Sequence, residues 1–333
     1  MKHLGSLSNG SSVVLSVVVP VFNEAEVLQE FNSRLSQVLV DVVDQSEVIY
    51  VDDGSTDESA EIMLGFSKLD PRISIVSLTR NFGKEIALTA GLDYSRGDAV
   101  VVIDADLQDP PELIHQLLAT WRQGYDVVNV RRLSRRGETR FKTISAKYFY
   151  RCMSYVGGID LPRDTGDFRL LSRRAVIALG GIRERNRFMK GLFVWIGFPQ
   201  TEITFDREHR HAGESKWNFR SLADLAIEGL VSFSTAPLRL ASYLGLATAL
   251  ASLVYGTWII LKTILFGDPV AGYPSLMVVV LFLGSMQLIT LGIIGEYLGR
   301  TFNESKQRPL YIVGSYVPAS TPEKVSSETL PIV

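Results

Sequence analysis

The chain has 333 residues, with 34 Lys and Arg against 36 Asp and Glu and a formal net charge of −2, which gives no electrostatic case for nucleic acid as a partner. Cys152 is the only cysteine, so neither a disulfide framework nor a cysteine-based metal site is available. The length exceeds one typical domain, and the positive mean hydropathy of +0.15 is concentrated after residue 236.

Residues 1–12 are Ser/Gly-rich with no long apolar core, which predicts a loose tail rather than a signal peptide. The head that follows is therefore expected to stay on the side of synthesis. Val13 to Val19 reads as a buried strand ending in Pro20-Val21-Phe22-Asn23-Glu24, with a helix through Val27, Leu28, Phe31 and Leu35 after it. Glu47 to Val51 predicts a second strand, closed by Asp52-Asp53-Gly54-Ser55-Thr56-Asp57. Ser55 and Glu58 have capping-box spacing for the next helix, which carries Ile62, Met63 and Phe66. Ile73 to Ser77 is a third strand, and Arg80-Asn81-Phe82-Gly83-Lys84 leads into a helix bearing Ile86, Ala87, Ala90 and Gly91.

Val100 to Ile103 is the fourth strand and runs into Asp104-Ala105-Asp106-Leu107-Gln108. Asp109 offers an N-cap and Pro110 a first helical position for a helix with Leu113, Ile114, Leu117, Leu118 and Trp121. Val127 to Val130 is a fifth strand, ending in Arg131 and Arg132. Strands alternating with helices predict an α/β domain whose mostly parallel sheet is covered on both faces. Ligands of such sheets bind beyond the carboxyl ends of the strands. Polar residues stand at four successive ends: Asn23 and Glu24, Asp52 and Asp53, Arg80, then Asp104 and Asp106. They are expected to line one crevice. An Asp-x-Asp by itself is usually a solvated turn. In this setting the hard oxygens of Asp104, Asp106 and Gln108 suit Mg²⁺ or Mn²⁺ carrying a substrate diphosphate. No Gly-x-Gly-x-x-Gly follows a strand and no P-loop motif occurs, which argues against dinucleotide and P-loop folds.

Ser134 to Arg151 is basic and amphipathic, suited either to a solvated helix face or to an anionic group near a membrane. Asp164 to Ser172 is a Gly-containing turn into a short apolar run, where Asp167 and Arg169 alternate about Phe168 and share a face. His209 and His211, among Arg207, Glu208 and Arg210, read as a solvated loop rather than a metal pair. Leu222, Leu225, Ala226 and Leu230 oppose Asp224 and Glu228, the pattern of an interfacial amphipathic helix. Two apolar runs, about 240–262 and 275–296, are long enough to cross a bilayer and flank a Gly/Pro loop. Arg239 precedes the first, and Arg300, Lys306 and Arg308 follow the second. The positive-inside rule then puts both termini and the crevice domain in the cytoplasm, with Lys262 snorkelling. From about Gly314 the chain is Ser/Pro/Thr-rich and expected to be disordered.

The organisation expected is a tail over 1–12 and a catalytic domain over 13–220. An interfacial helix covers 221–237, two transmembrane helices lie within 238–298, and a cytoplasmic tail covers 299–333. Such parts suit a transferase with a soluble nucleotide-sugar donor and an anionic lipid acceptor.

The motifs Val19 to Glu24, Val51 to Asp57, Arg80 to Lys84, Asp104 to Pro110, Gly166 to Arg173 and Gly213-Glu214-Ser215-Lys216-Trp217 occur in this order. Gly295 to Arg300 and Arg308 to Tyr311 follow them. Over residues 13 to 313 the chain resembles family 2 glycosyltransferases of the polyisoprenyl-phosphate type, with a GT-A nucleotide-diphospho-sugar transferase fold. The two-span end is most similar to their bacterial glucosyl branch. The resemblance implies that Pro20, Asn23, Glu24, Asp52 and Asp53 hold base and ribose, with Lys84 near the phosphates. It implies a metal on Asp104, Asp106 and Gln108, and a lipid phosphate received by Arg131, Arg132, Arg135, Arg169 and Lys216. Asp167 takes the place of the catalytic carboxylate. The implied reaction is inverting transfer of a sugar, glucose from UDP-glucose in the closest branch, to an undecaprenyl-type phosphate. Donors such as GDP-mannose, UDP-N-acetylhexosamine or UDP-aminoarabinose use similar crevices, and related enzymes suggest a homo-oligomer. A processive polysaccharide synthase is disfavoured, because no Gln-x-x-Arg-Trp motif is present. A non-catalytic lipid-binding scaffold is disfavoured by the intact run from Asp104 to Gln108 and by Asp167.

Overall fold

The computed structural model describes residues 14–42, 45–132, 165–185, 187–205, 236–266 and 272–320. Its centre is an eight-stranded sheet of order β7-β5-β6-β4-β1-β2-β3-β8. The strands are β1 (Leu15–Val21), β2 (Ser46–Asp52), β3 (Ile73–Leu78), β4 (Ala99–Val102), β5 (Val127–Arg132), β6 (Thr165–Ser172), β7 (Gln200–Phe205) and β8 (Val313–Val317). β1 pairs in parallel with β2 and β4, β2 with β3, and β5 with β7. β6 runs antiparallel between β4 and β5, and β8 antiparallel along β3. The GT-A-like α/β architecture with a mostly parallel sheet is the one expected.

Both faces are covered, so the inner strands are apolar on both sides. The helices are α1 (Ala25–Val42), α2 (Ser59–Leu69), α3 (Lys84–Tyr94), α4 (Ile114–Trp121), α5 (Arg173–Gly180) and α6 (Met189–Trp195). Val17, Val19, Tyr50 and Val101 pack with Phe31 and Leu35 of α1, Met63 of α2 and Leu117 of α4. The alternate positions, Val18, Ile49, Val51 and Val100, pack with Ala87 and Ala90 of α3, Val176 of α5 and Leu192 of α6. Helix α3 lies close to the sheet: a Cβ on Gly91 would stand 2.2 Å from Val18 Cγ1. That contact fixes the height of α3, and so of Lys84 at its start.

Several local expectations are corrected. Helix α2 starts at Ser59 without a capping box. Asp57 accepts from Ser59 N at 3.0 Å, while Ser55 Oγ accepts from Asn23 N at 3.1 Å. The loop thus uses its polar side chains to bind the neighbouring β1–α1 loop. Asp109 does not cap α4: a short 3₁₀ turn, Pro111–Leu113, precedes that helix, and Asp109 is buried. Strand β6 and strand β7 were not expected. The chain from Gly314, expected to be disordered, instead begins within β8 (Val313–Val317), on the otherwise open edge of β3. The strand is pinned from outside its own ladder: Tyr311 Oη donates to Asp93 at 2.7 Å, and Tyr316 packs on Tyr94 with ring centroids 4.8 Å apart.

Two long helices, α7 (Ala236–Phe266) and α8 (Tyr273–Ser305), complete the described chain. Leu238–Phe266 and Phe282–Ser305 are each long and apolar enough to cross a membrane. Their large apolar side chains stand outward, with Leu253 67 % and Leu288 71 % exposed. Exposure of this kind over whole helices suits lipid rather than water. The basic segment at 134–151 and the amphipathic helix at 221–237 lie outside the described residues, apart from the last two positions, which begin α7.

Candidate active site

The crevice forms where β1, β2 and β4 end. Its floor is a set of loops that hold one another through buried carboxylates and amides. Asp53 is 2 % exposed, and its two oxygens accept from Phe82 N at 2.7 Å and Gly83 N at 2.9 Å. Burial pushes its carboxyl above the ordinary range, against those two amides. Asp52 accepts from Ser55 N at 2.9 Å. Asn23 sits at φ 54°, and its Oδ1 accepts from Thr56 N at 2.8 Å. Gly54 is required between them. It has φ 71°, and a Cβ there would stand 2.5 Å from the carbonyl carbon of Arg80. The cleft above these loops, of about 290 Å³, is lined by Pro20, Glu24, Asp53, Lys84, Asp104 and Asp106 among others.

Lys84 is the hub. Its Nζ lies 2.6 Å from Asp104 Oδ2 and 2.5 Å from Asp167 Oδ2. Asp104 follows β4, and Asp167 is the third residue of β6. The antiparallel insertion of β6 beside β4 is what brings them together across 63 positions of sequence (167 − 104). The carboxylates are 23 % and 17 % exposed and the lysine side chain 46 %. Burial pushes Asp104 up, with Asp167 and Asp106 adding to it and Lys84 opposing. Burial would also raise Asp167, but Lys84, Lys190 and Arg169 overcome it and hold its carboxyl far below the usual range. Asp106 accepts from Gln108 N at 3.0 Å, across Leu107 at φ 59°. A leucine in the left-handed region costs about 1–2 kcal/mol; here it turns Asp106 into the cleft.

Six of the expected donor-side and metal-side residues line the cleft: Pro20, Glu24, Asp53, Lys84, Asp104 and Asp106. Asn23 and Asp52 instead build its walls. Of the expected acceptor residues, Arg131 donates to Glu202 at 2.7 Å. Arg169 is corrected: it is 1 % exposed, its guanidinium lies 3.9 Å over the Phe193 ring, and it donates to Gly166 O and Asp167 O of its own strand. It braces the strand that carries Asp167. The Arg132 side chain, Arg135 and Lys216 lie outside the described residues. Two charged neighbours were missed. Glu85, next to Lys84, is pushed up to about 7 by burial and by Asp167. Lys190, on the first turn of α6, reaches Thr165 O at 3.4 Å. Glu85 follows directly on a motif and was within reach of the sequence; Lys190 carries no spacing signal.

A family model described as glycosyl transferase family 2 matches residues 16–180, and one described as the GtrB C-terminal hairpin matches residues 236–301. An uncharacterized glycosyltransferase of Synechocystis sp. is 51% identical over 302 residues, covering 91% of this chain and 95% of that protein. A bactoprenol glucosyl transferase of Shigella phage SfV is 44% identical over 299 residues, covering 90% of this chain and 97% of that protein. A solved glucosyl-3-phosphoglycerate synthase from Mycobacterium tuberculosis is 19% identical with a TM-score of 0.45, covering 66% of this chain and 78% of that one, a likeness too loose to bear on the chemistry.

Proposed function

The chain belongs to glycosyl transferase family 2 and to its membrane-associated, lipid-carrier branch, and from that premise we propose that it moves glucose from UDP-glucose to an undecaprenyl-type phosphate at the cytoplasmic face of the membrane. One observation carries the reading. Asp104 and Asp167 share Lys84 beside a cleft that Asp104, Asp106 and Lys84 line, in a chain that also carries two helices fit to span a bilayer. The bactoprenol glucosyl transferases among its relatives favour glucose and a polyprenyl carrier. The distribution of Arg239, Arg300, Lys306 and Arg308 favours a cytoplasmic crevice.

Asp104 and Asp106 would hold Mg²⁺ or Mn²⁺, with Gln108 beside them. Among the described residues no group of three or more His, Cys, Asp or Glu is placed to hold an ion. Two carboxylates suit a hard cation that completes its shell with water and substrate phosphates. When bound, such an ion neutralises charge on the departing diphosphate. Lys84 contributes the same service from the protein, donating to the diphosphate from the start of α3. Asp53 and Asn23 keep the two base-side loops in place.

Asp167, which shares Lys84 with Asp104, would stand beside the anomeric centre. A carboxylate held far below its usual range stays ionised and is a weak base. The acceptor does not need one, since a phosphate monoester with a second pKa near 6 is already largely dianionic at neutral pH. Asp167 therefore stabilises positive charge at the sugar as the leaving group departs. Attack opposite the diphosphate inverts the anomeric configuration. The test is transfer of radiolabelled sugar from nucleotide donors into organic-extractable lipid, with and without divalent metal. Labelled lipid from UDP-glucose supports the reading; none from any common donor refutes it.

A further inference from the structure

Two anions side by side repel, so an acceptor phosphate beside Asp167 needs a cation with free donors. Three cations act on Asp167: Lys84, Lys190 and Arg169. Arg169 is buried, stacked on Phe193, and engaged with the carbonyls of its own strand. Lys84 is divided between Asp104 and Asp167, on the donor side of the cleft. Lys190 differs from both. It is partly exposed, and its position is fixed by Phe188 and Met189, buried at 5 % and 0 %. Its one hydrogen bond among the described residues is to Thr165 O at 3.4 Å, the long end of the range. An ammonium has three donors, and among the described residues only this one is engaged. Thr165 opens β6 and is paired with Arg131 at the end of β5. Lys190 and Arg131 are therefore gathered at the start of β6, on the strand that carries Asp167, which lies beside Asp104 and shares Lys84 with it.

We infer that Lys190 binds the phosphate of the lipid acceptor, the role that Arg169 cannot fill. The inference rests on the proposed reaction. A flexible ammonium acts as a point charge and accepts a phosphate without bidentate alignment. It would follow the phosphate as it closes on the sugar and would offset its repulsion by Asp167.

The experiment uses the full chain in detergent, a short-chain polyprenyl phosphate as acceptor and the nucleotide sugar as donor. Lys190→Met removes the charge; Lys190→Gln removes it but keeps a donor for Thr165 O. In both, the KM for the polyprenyl phosphate should rise roughly tenfold or more, the size of one charge-assisted contact. The KM for the nucleotide sugar should change less than about twofold, and Lys190→Arg should recover most of the loss. Either of two results overturns the inference while leaving the reaction intact. One is an acceptor KM in the Gln variant equal to the parent's, and the other is an equal rise in both KM values. A parent enzyme that forms no lipid-linked sugar overturns both.

Discussion

Lys84→Met should weaken the fold in a way that depends on pH. The substitution keeps the stem but removes the ammonium between Asp104 and Asp167. Breaking a buried ion pair by deleting one partner costs roughly 3–5 kcal/mol. Here the lysine side chain is 46 % exposed, so screening reduces that to about 2 kcal/mol. For a body of this size, that corresponds to a fall in Tm of roughly 4–8 °C. The sign follows from the two carboxylates. Asp167, depressed in the folded protein, contributes stability that is present above its unfolded value near 3.9 and is lost as pH falls through its folded value. Asp104, raised in the folded protein, works the other way and destabilises as pH climbs above that same unfolded value. Loss of Lys84 removes the benefit at Asp167 and worsens the penalty at Asp104, and both effects act on the ionised forms. The deficit of the variant should therefore be largest near pH 7.5 and shrink steadily toward pH 5. Thermal unfolding of detergent-purified parent and variant at matched ionic strength measures it. A deficit independent of pH, or none at pH 7.5, would show that Lys84 does not hold these carboxylates as described. Transfer activity should fall by about one to two orders of magnitude, the size of one or two charged hydrogen bonds.

Three further outcomes are expected. Asp167→Asn should lower kcat by a similar factor at every pH from 5.5 to 8.5, because a carboxylate held so low is ionised throughout; a pH–rate limb that vanishes in the variant would restore a general-base role. Gly54→Ala should destabilise by about 2 kcal/mol or more, since its Cβ would meet Arg80 backbone at 2.5 Å. Because that clash separates the two base-side loops, the KM for the nucleotide sugar should rise too, and an unchanged value would contradict the loop arrangement. Tyr311→Phe should cost about 1 kcal/mol through its lost bond to Asp93, which keeps Arg183 at 2.7 Å. Hydrogen exchange along β3 and β8 should accelerate in that variant relative to β1.

Much of the site was legible because strand ends in an α/β sheet are local features. An apolar run followed by Asp104-Ala105-Asp106, or by Asp52-Asp53-Gly54, marks both the strand and the crevice. What those residues do there was less legible. Asn23, Asp52 and Asp53 look alike in sequence to ligand-binding groups, yet their oxygens are engaged by backbone amides of neighbouring loops. The choice between wall and ligand depends on which amides come within 3 Å, and that is set by packing. Arg169 is a similar case: alternation put it on the face of Asp167, and the aromatic ring of Phe193 drew it into the core instead.

The first five strands, the polar residues at their ends and the apolar spans were legible in the sequence alone, because each depends on residues within a few positions of one another. The tertiary structure decided which distant segments meet. It inserted β6 antiparallel beside β4, so that Asp167 and Asp104 share Lys84. It returned residues 313–317 to the edge of β3, where backbone groups left open by β3 supplied the partners that a Ser-rich segment lacks in isolation. It also brought α6 and its Lys190 against the start of β6. Contacts of that kind have no period or spacing in the chain; they follow from the sheet order, which arises only when all eight strands pair.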